Sequence, residues 1–535
     1  MSTAISPMRS PGRMKKKLGL FALVGLTFYS VSGGPFGIEE IVKAGGPLYA
    51  LLGFSLLLVW AVPEALITTE LATAIPEASG SVAWVTLAFG PFWGFQEGWL
   101  SYLSGVADNS LYPILLLDTF VSLIQSQGSD SMFSSGLPRL LFIILLTVLL
   151  TYLNYRGLDV VGRTTIIICT LTMMPFVVFC IIGAFKVDPT KWLATPENGI
   201  YGINWRLFLN TFFWNINYWD SAACFAGEVD QPGKTYPLGM SLAVLLVGIS
   251  SFLPVLIGTG ASDIPYHEWK DGHFTFLAVE ICGNWLGVWM MFAASITNIG
   301  TFIAEMSTDA WQVAGMADRG IIPKVVGTRN VYGTPTYGIL ISASGVLVLC
   351  WLSFSEVIEM LNILYCFSQL IEFAAFVKLR ISHPDMSRPY KIPLGTAGVT
   401  LLLLCPSIFA IIIIAISSKW AFITAVVTII LGIIVHAILR YMRVNGICEF
   451  ENQYEDCYDN EGSFYLNKMH FHSVPTLELH GSSNSASDRS LKPRSHSESY
   501  GSNYTASPLD GTKASATIDD PGGVSGEKRP LIPRV

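Results

Sequence analysis

Residues Ser32–Glu40 read SGGPFGIEE, and they interrupt an apolar run, LGLFALVGLTFYSV (18–31) before them and Ile41-Val42 after them. Gly33, Gly34, Pro35 and Gly37 crowd four poor helix formers into five residues, and Pro35 has no N–H to donate. A helix crossing lipid there must unwind. Backbone freed at that depth survives only where it is buried in protein or lines a cavity. A lone proline or glycine reads as a packing kink, whereas this cluster reads as a cavity-forming break.

The surrounding chain supports a membrane setting. Of its 535 residues 51% are hydrophobic and only 13% charged, against about a quarter charged in soluble domains. Apolar runs of about 20 residues recur, each long enough to cross a bilayer. Twelve spans are expected, near 18–42, 48–74, 92–122, 138–156, 162–185, 204–229, 237–260, 274–312, 336–353, 357–380, 396–417 and 420–441. The 274–312 run is too long for one crossing and is expected to emerge into the cytosol. Arg9, Arg13 and Lys15–Lys17 precede the first span. An even span count puts Arg156, Arg163, Lys234, Arg319, Lys324, Arg329 and the 378–391 basic loop on that same side. Basic loops mark the cytosol, so both termini are expected there. The expected organisation is a cytosolic segment 1–17, a twelve-helix domain 18–441 and a tail 442–535. That tail is Ser-rich and too poor in apolar residues to fold, so disorder is expected. The nine cysteines are scattered and suggest neither a zinc site nor a disulfide framework.

The sixth span matches the first in interruption. FFWNINYWDSAACFAGE (Phe212–Glu228) places Trp214, Asn215, Asn217, Tyr218, Trp219 and Asp220 at mid-span, where polarity is costly unless it faces a hydrated path. Interrupted segments at matching positions of two five-helix halves point to a transporter's substrate site. The third span adds a stripe, Glu97, Ser101, Ser104, Asp108 and Tyr112, on one helical face. The tenth adds Asn362, Tyr365, Gln369 and Glu372, and the eighth adds Asn298 and Glu305, the latter read as a helix anchor. Each acid also has a structural reading, as a hydrogen bond to a neighbouring helix, and Glu39 and Glu40 also read as solvated residues at an outer mouth. Glu39, Glu40, Asp108 and Asp220 supply acid, and Phe36, Tyr112, Trp214, Trp219 and Tyr365 supply π faces. No Lys or Arg sits at the centre of spans 1, 3, 6, 8 or 10. That balance favours a cationic substrate. GGPFGIEE lacks the Lys-Ser/Thr ending of a phosphate loop, so an enzyme is not expected.

GGPFGIEE, PEALITTELATAIPEASGSVAWV, FGPFWGFQEG and SGVADNSLYP resemble the amino acid–polyamine–organocation transporters, nearest the plant polyamine-uptake branch and the L-type amino acid transporters; YGTPTYGILISASGV and EFAAFVKLRISHPDMSRPYKIP extend the likeness. The resemblance covers about residues 18 to 440. It implies an all-α fold of twelve transmembrane helices, with five-plus-five inverted repeats near 18–185 and 204–380 and two extra helices at 396–441. It implies proton-coupled uptake by alternating access of polyamines such as spermidine and putrescine; the plasma membrane is the expected location. The substrate residues expected are Gly33, Gly34, Phe36, Gly37, Asp108, Tyr112, Asn215, Asn217, Asp220, Asn298 and Tyr365. Trp214 is expected to be the gate, with Trp219 beside it. Some relatives carry a coupling lysine in the fifth helix; none follows Arg163 here, so Asp220, Asp108 and Glu97 are the coupling candidates. No cofactor and no nucleic acid is expected, only the bilayer, a small cation and a proton gradient. The loop SLIQSQGSDSMFSSGLPR has no cysteine, so no disulfide-linked heavy chain is expected. Rival readings are a neutral or cationic amino acid transporter of the same fold, and a nutrient sensor signalling through its tail.

Overall fold

The computed structural model describes residues 18–126, 133, 136–350 and 354–451. The expected cytosolic segment 1–17, most of the Ser-rich tail and most of the loop after the third span lie outside the described residues. Within them the chain is helical, with no strand beyond two isolated bridges.

The first span is split into α1 (Leu20–Val31) and the opening of α2 (Glu40–Gly53). Gly46, at φ +72°, bends α2 ahead of Pro47, so residues 40–45 finish the first span and the rest begins the second. A π-helical turn at Leu57–Ala61 leads into α3 (Val62–Ala74), and the short α4 (Ser81–Phe89) follows. The third span is α5 (Pro91–Asn109) with α6 (Leu111–Ser126); α7 (Gly136–Tyr155) and α8 (Leu158–Ala184) are the fourth and fifth. The sixth is α9 (Trp205–Trp214) plus a tight 3₁₀ segment, Trp219–Phe225, and α10 (Pro232–Ala261) is the seventh. Then come α11 (His273–Cys282), α12 (Asn284–Asp318), α13 (Thr336–Leu349), α14 (Phe354–Ser382), α15 (Thr396–Ile416) and α16 (Lys419–Val444). Among the described residues eight helical stretches are long and apolar enough to cross a bilayer, and α1, α11 and α13 are shorter apolar helices. Each expected span coincides with a helix or with consecutive helices.

One expectation needs correction. The 274–312 run is not a single element: Gly283, at φ +99°, separates α11 from α12, and α12 alone is the eighth span. The excess length therefore lies ahead of that span, in α11, as well as in its extension to Asp318.

Loops that carry basic residues are bonded to neighbouring segments, and these contacts seal one end of the bundle. The Leu18 N–H donates to Glu228 O at 3.2 Å and the Asp230 N–H to Leu18 O at 3.0 Å, pinning the start of the first span to the end of the sixth. Arg319 meets Glu77 at 2.7 Å. Glu70, fully buried, takes Arg380 at 2.5 Å and Arg388 at 3.1 Å. Buried charges persist where they are paired in this way. Large apolar side chains, including Leu145, Ile167, Ile249 and Ile434, are exposed along α7, α8, α10 and α16, as a lipid-facing perimeter requires.

Candidate functional site

The first break is built by glycine. At the end of α1 the Ser32 and Gly33 N–H groups both donate to Phe28 O at 3.0 Å, which stops the helical ladder. Gly33, Gly34 and Gly37 then take φ +67°, +116° and +84°, a region that costs other residues about 1–2 kcal/mol. Space imposes the same choice. A Cβ on Gly37 would lie 2.5 Å from Trp214 Cζ3, and one on Gly33 would lie 2.7 Å from Thr301 Oγ1. Ser32 Oγ donates to Gly34 O at 2.9 Å and Thr297 Oγ1 to Gly33 O at 3.3 Å, pinning the loop. Phe36 packs edge-on against Phe176.

The sixth-span break has neither Gly nor Pro between Phe212 and Phe225. Helix α9 ends at Trp214, and Tyr218 stands at φ +64° before the 3₁₀ segment. Partners from other helices hold it open. The Tyr218 N–H donates to Tyr365 Oη and the Trp219 N–H to Glu64 Oε1, each at 2.8 Å. The Tyr218 phenol lies 2.5 Å from Ser104 Oγ.

A cavity of about 840 Å³ lies against both breaks, within the size range of small-molecule sites. It runs from Asp108 and Thr301 to the turn Lys270–Gly272, at the end opposite the sealed one. Phe36, Gly37, Asp108, Tyr112, Trp214, Asn215 and Asn298 line it, so most of the expected substrate residues are brought together. Trp214 Nε1 donates to Asp108 Oδ1 at 2.9 Å. Tyr112 Oη is 2.8 Å from Glu305 Oε1 and 3.2 Å from Asp108 Oδ1. Two acids and a phenol therefore face one another, and among the described residues no Lys, Arg or His pairs with either acid. This arrangement accepts positive charge and offers an ammonium both oxygen acceptors and an indole face.

The remaining expected residues lie elsewhere. Gly33 and Gly34 sit behind the cavity, against Thr301 and Met173. Asn217 is buried opposite Asn362 at 3.5 Å. Trp219 is fully buried, its indole bonded to Ile216 O. Asp220, Tyr365 and Glu97 belong to a second, dry group described below. Asp220 lines a separate void of about 20 Å³, shared with Glu305 and Asp309. Glu39 and Glu40 differ: Glu39 is fully buried beside α11, while Glu40 is partly exposed. Sequence reasoning passed over Glu64 and Asp309. Both are intramembrane acids, which is itself a signal; Asp309 lies four residues after Glu305 on the same helical face, whereas Glu64 falls on no polar stripe of its own helix.

Residues 18–435 match the amino acid permease family. The polyamine transporter RMV1 of Arabidopsis thaliana is 46% identical over 448 residues, 84% of this chain and 90% of that protein. The polyamine transporter PUT1 of Oryza sativa subsp. japonica is 44% identical over 437 residues, 82% and 80% of the two chains. A cadaverine/lysine antiporter of Escherichia coli K12 is 25% identical over 343 residues, 61% and 73%. With broken first and sixth spans meeting at an acidic cavity, and a family match across nearly all of the helical region, this chain belongs to the amino acid permease family.

Proposed function

We propose that this protein is a secondary transporter that takes up polyamines such as spermidine and putrescine by alternating access, in symport with protons. The observation that carries the substrate assignment is the acid at the inner end of the cavity: Asp108 and Tyr112 line it, Tyr112 links Asp108 to Glu305 behind the wall, and among the described residues no cation pairs with either acid. A polyamine brings ammonium groups and no carboxylate, so it needs acceptors and π faces. Its relatives' names agree with that chemistry. In this reading the basic loops face the cytosol, the cavity opens outward at the plasma membrane, and Trp214 is the gate: its indole lies over Gly37 and holds Asp108 until an ammonium replaces it. Asp220, Asp108 and Glu97 are the proton-coupling candidates. The protein is not an enzyme in this reading.

The test is uptake of labelled spermidine, with and without a pH gradient, by cells expressing Asp108→Asn at matched surface level. Loss of a hydrogen bond to a charge predicts uptake weaker by about ten- to a hundredfold. Wild-type uptake by Asp108→Asn would remove this residue from the site. A second reading, a cationic amino acid substrate, draws on the cadaverine/lysine relative. Lysine competing as well as spermidine does would favour it.

A further inference from the structure

Beneath the cavity four acids from four elements meet without a cation. Glu64 from α3, Glu97 from α5, Asp220 from the 3₁₀ segment and Glu372 from α14 are all 3% exposed or less. Among the described residues none pairs with Lys, Arg or His. The nearby arginines, Arg380 and Arg388, are committed to Glu70. The thiols of Cys224 and Cys366, the phenol of Tyr365 and the carboxyl of Asp309 are the other titratable groups beside the cluster.

Counting hydrogens fixes what the cluster must hold. Tyr365 Oη receives the Tyr218 N–H at 2.8 Å and the Gln369 N–H at 3.1 Å. It also lies 2.5 Å from Glu64 Oε1 and 2.5 Å from Asp220 Oδ1. A phenol has one hydrogen to give. It satisfies one carboxyl contact; with two lone pairs to receive, it can accept the other only as a hydrogen carried by Glu64 or Asp220 that takes the place of the longer Gln369 bond. Glu97 and Glu372 repeat the problem. They lie within hydrogen-bonding reach of each other. Glu97 Oε1 accepts Ser81 Oγ at 2.8 Å and Ser368 Oγ at 3.3 Å, but Glu97 Oε2 and both Glu372 oxygens meet no donor among the described residues. Two carboxyls in contact are joined only by a shared proton. The void that touches the cluster at Asp220, about 20 Å³, fits about one water.

We infer that Glu64 and Glu372 complete a buried proton store with Asp220 and Glu97, holding at least two protons while the cavity is open. The store is tied to the gate by covalent neighbours: Tyr365 and Glu64 receive the amides of Tyr218 and Trp219, the residues that close the sixth-span break. Moving that backbone breaks the contacts that hold the protons. A proton leaving Asp220 passes as H⁺ through the small void to Glu305 or Asp309, and no other bond changes. This rests on the proton-symport reading above and adds to it the identity and number of the proton holders.

Two measurements on the full chain in lipid test it separately. Infrared absorption of protonated carboxyl groups should fall in E64Q and in E372Q and return in E372D. In proteoliposomes E372Q should lose accumulation driven by a pH gradient by more than about tenfold, while spermidine exchange at equal pH stays within about twofold; a purely structural role would lower both alike. Unchanged carboxyl absorption in both glutamine variants, or accumulation at the wild-type level, overturns the store. If wild-type accumulation ignores the pH gradient, the symport reading fails instead, and the infrared result still decides whether the acids hold protons.

Discussion

The two interrupted spans reach the same end by opposite means. In the first, the residues themselves refuse the helix: three glycines occupy left-handed φ, and Pro35 offers no donor. In the sixth, every residue from Phe212 to Phe225 is compatible with a helix, yet Tyr218 takes φ +64°. The cost of that non-glycine conformation, of order 1–3 kcal/mol, is offset by Tyr365 and Glu64, which accept the amides the broken ladder frees. The first break is intrinsic, and the sixth is imposed by its neighbours. An imposed break responds to the state of the groups imposing it, which suits the moving half of a gate, whereas an intrinsic one stays open whatever surrounds it.

The largest effect should come from spoiling the intrinsic break where it meets the gate. Gly37→Ala adds a methyl 2.5 Å from the Trp214 ring at φ +84°. Left-handed strain and overpacking together cost about 2–5 kcal/mol, so spermidine uptake at equal surface expression should fall roughly a hundredfold. Near-normal uptake would mean that Trp214 moves aside freely and that glycine is not required there. The imposed break should be attacked through its support. Tyr365→Phe removes the acceptor of the Tyr218 N–H and strands Glu64 and Asp220. An unsatisfied buried group costs about 1–3 kcal/mol. Uptake should fall about tenfold and the thermal midpoint of the detergent-purified protein should drop. An unchanged midpoint would show that the left-handed turn holds without this phenol.

This contrast also explains what could be read from the chain. The apolar runs and the Gly-Gly-Pro-Phe-Gly cluster carry their own geometry, so the spans and the first break were legible. The sixth span announced its polarity but not its shape, because the acceptors that open it, Tyr365 and Glu64, stand 147 and 155 residues away from the amides they accept. Asp108 and Tyr112 were legible as one helical face and do line the cavity. Tyr365 and Asp220 were legible as polar residues at mid-span, but periodicity does not say whether such a residue meets the cavity or a second acid. Glu64 had no stripe to mark it, since its partners come from α14 and the 3₁₀ segment. The split between α11 and α12 rests on a single glycine, Gly283, inside a run apolar on both sides.

The smallest effect is the most discriminating, because two serines make comparable contacts at the two breaks. Ser32 Oγ donates to Gly34 O inside the first break. Ser104 Oγ, from the third span, donates to Leu361 O at 2.8 Å and meets the Tyr218 phenol at 2.5 Å. Each side-chain bond is worth about 1 kcal/mol. If the first break is set by its own glycines, Ser32→Ala should leave the Km for spermidine unchanged, because the loop has no helical alternative to fall back on. Ser104→Ala frees the Tyr218 phenol and loosens a turn that has such an alternative, so uptake should fall about two- to fivefold, the equivalent of that single bond. Equal losses from the two alanines would mean that both breaks depend on outside support, and the distinction between an intrinsic and an imposed half of the gate would fall.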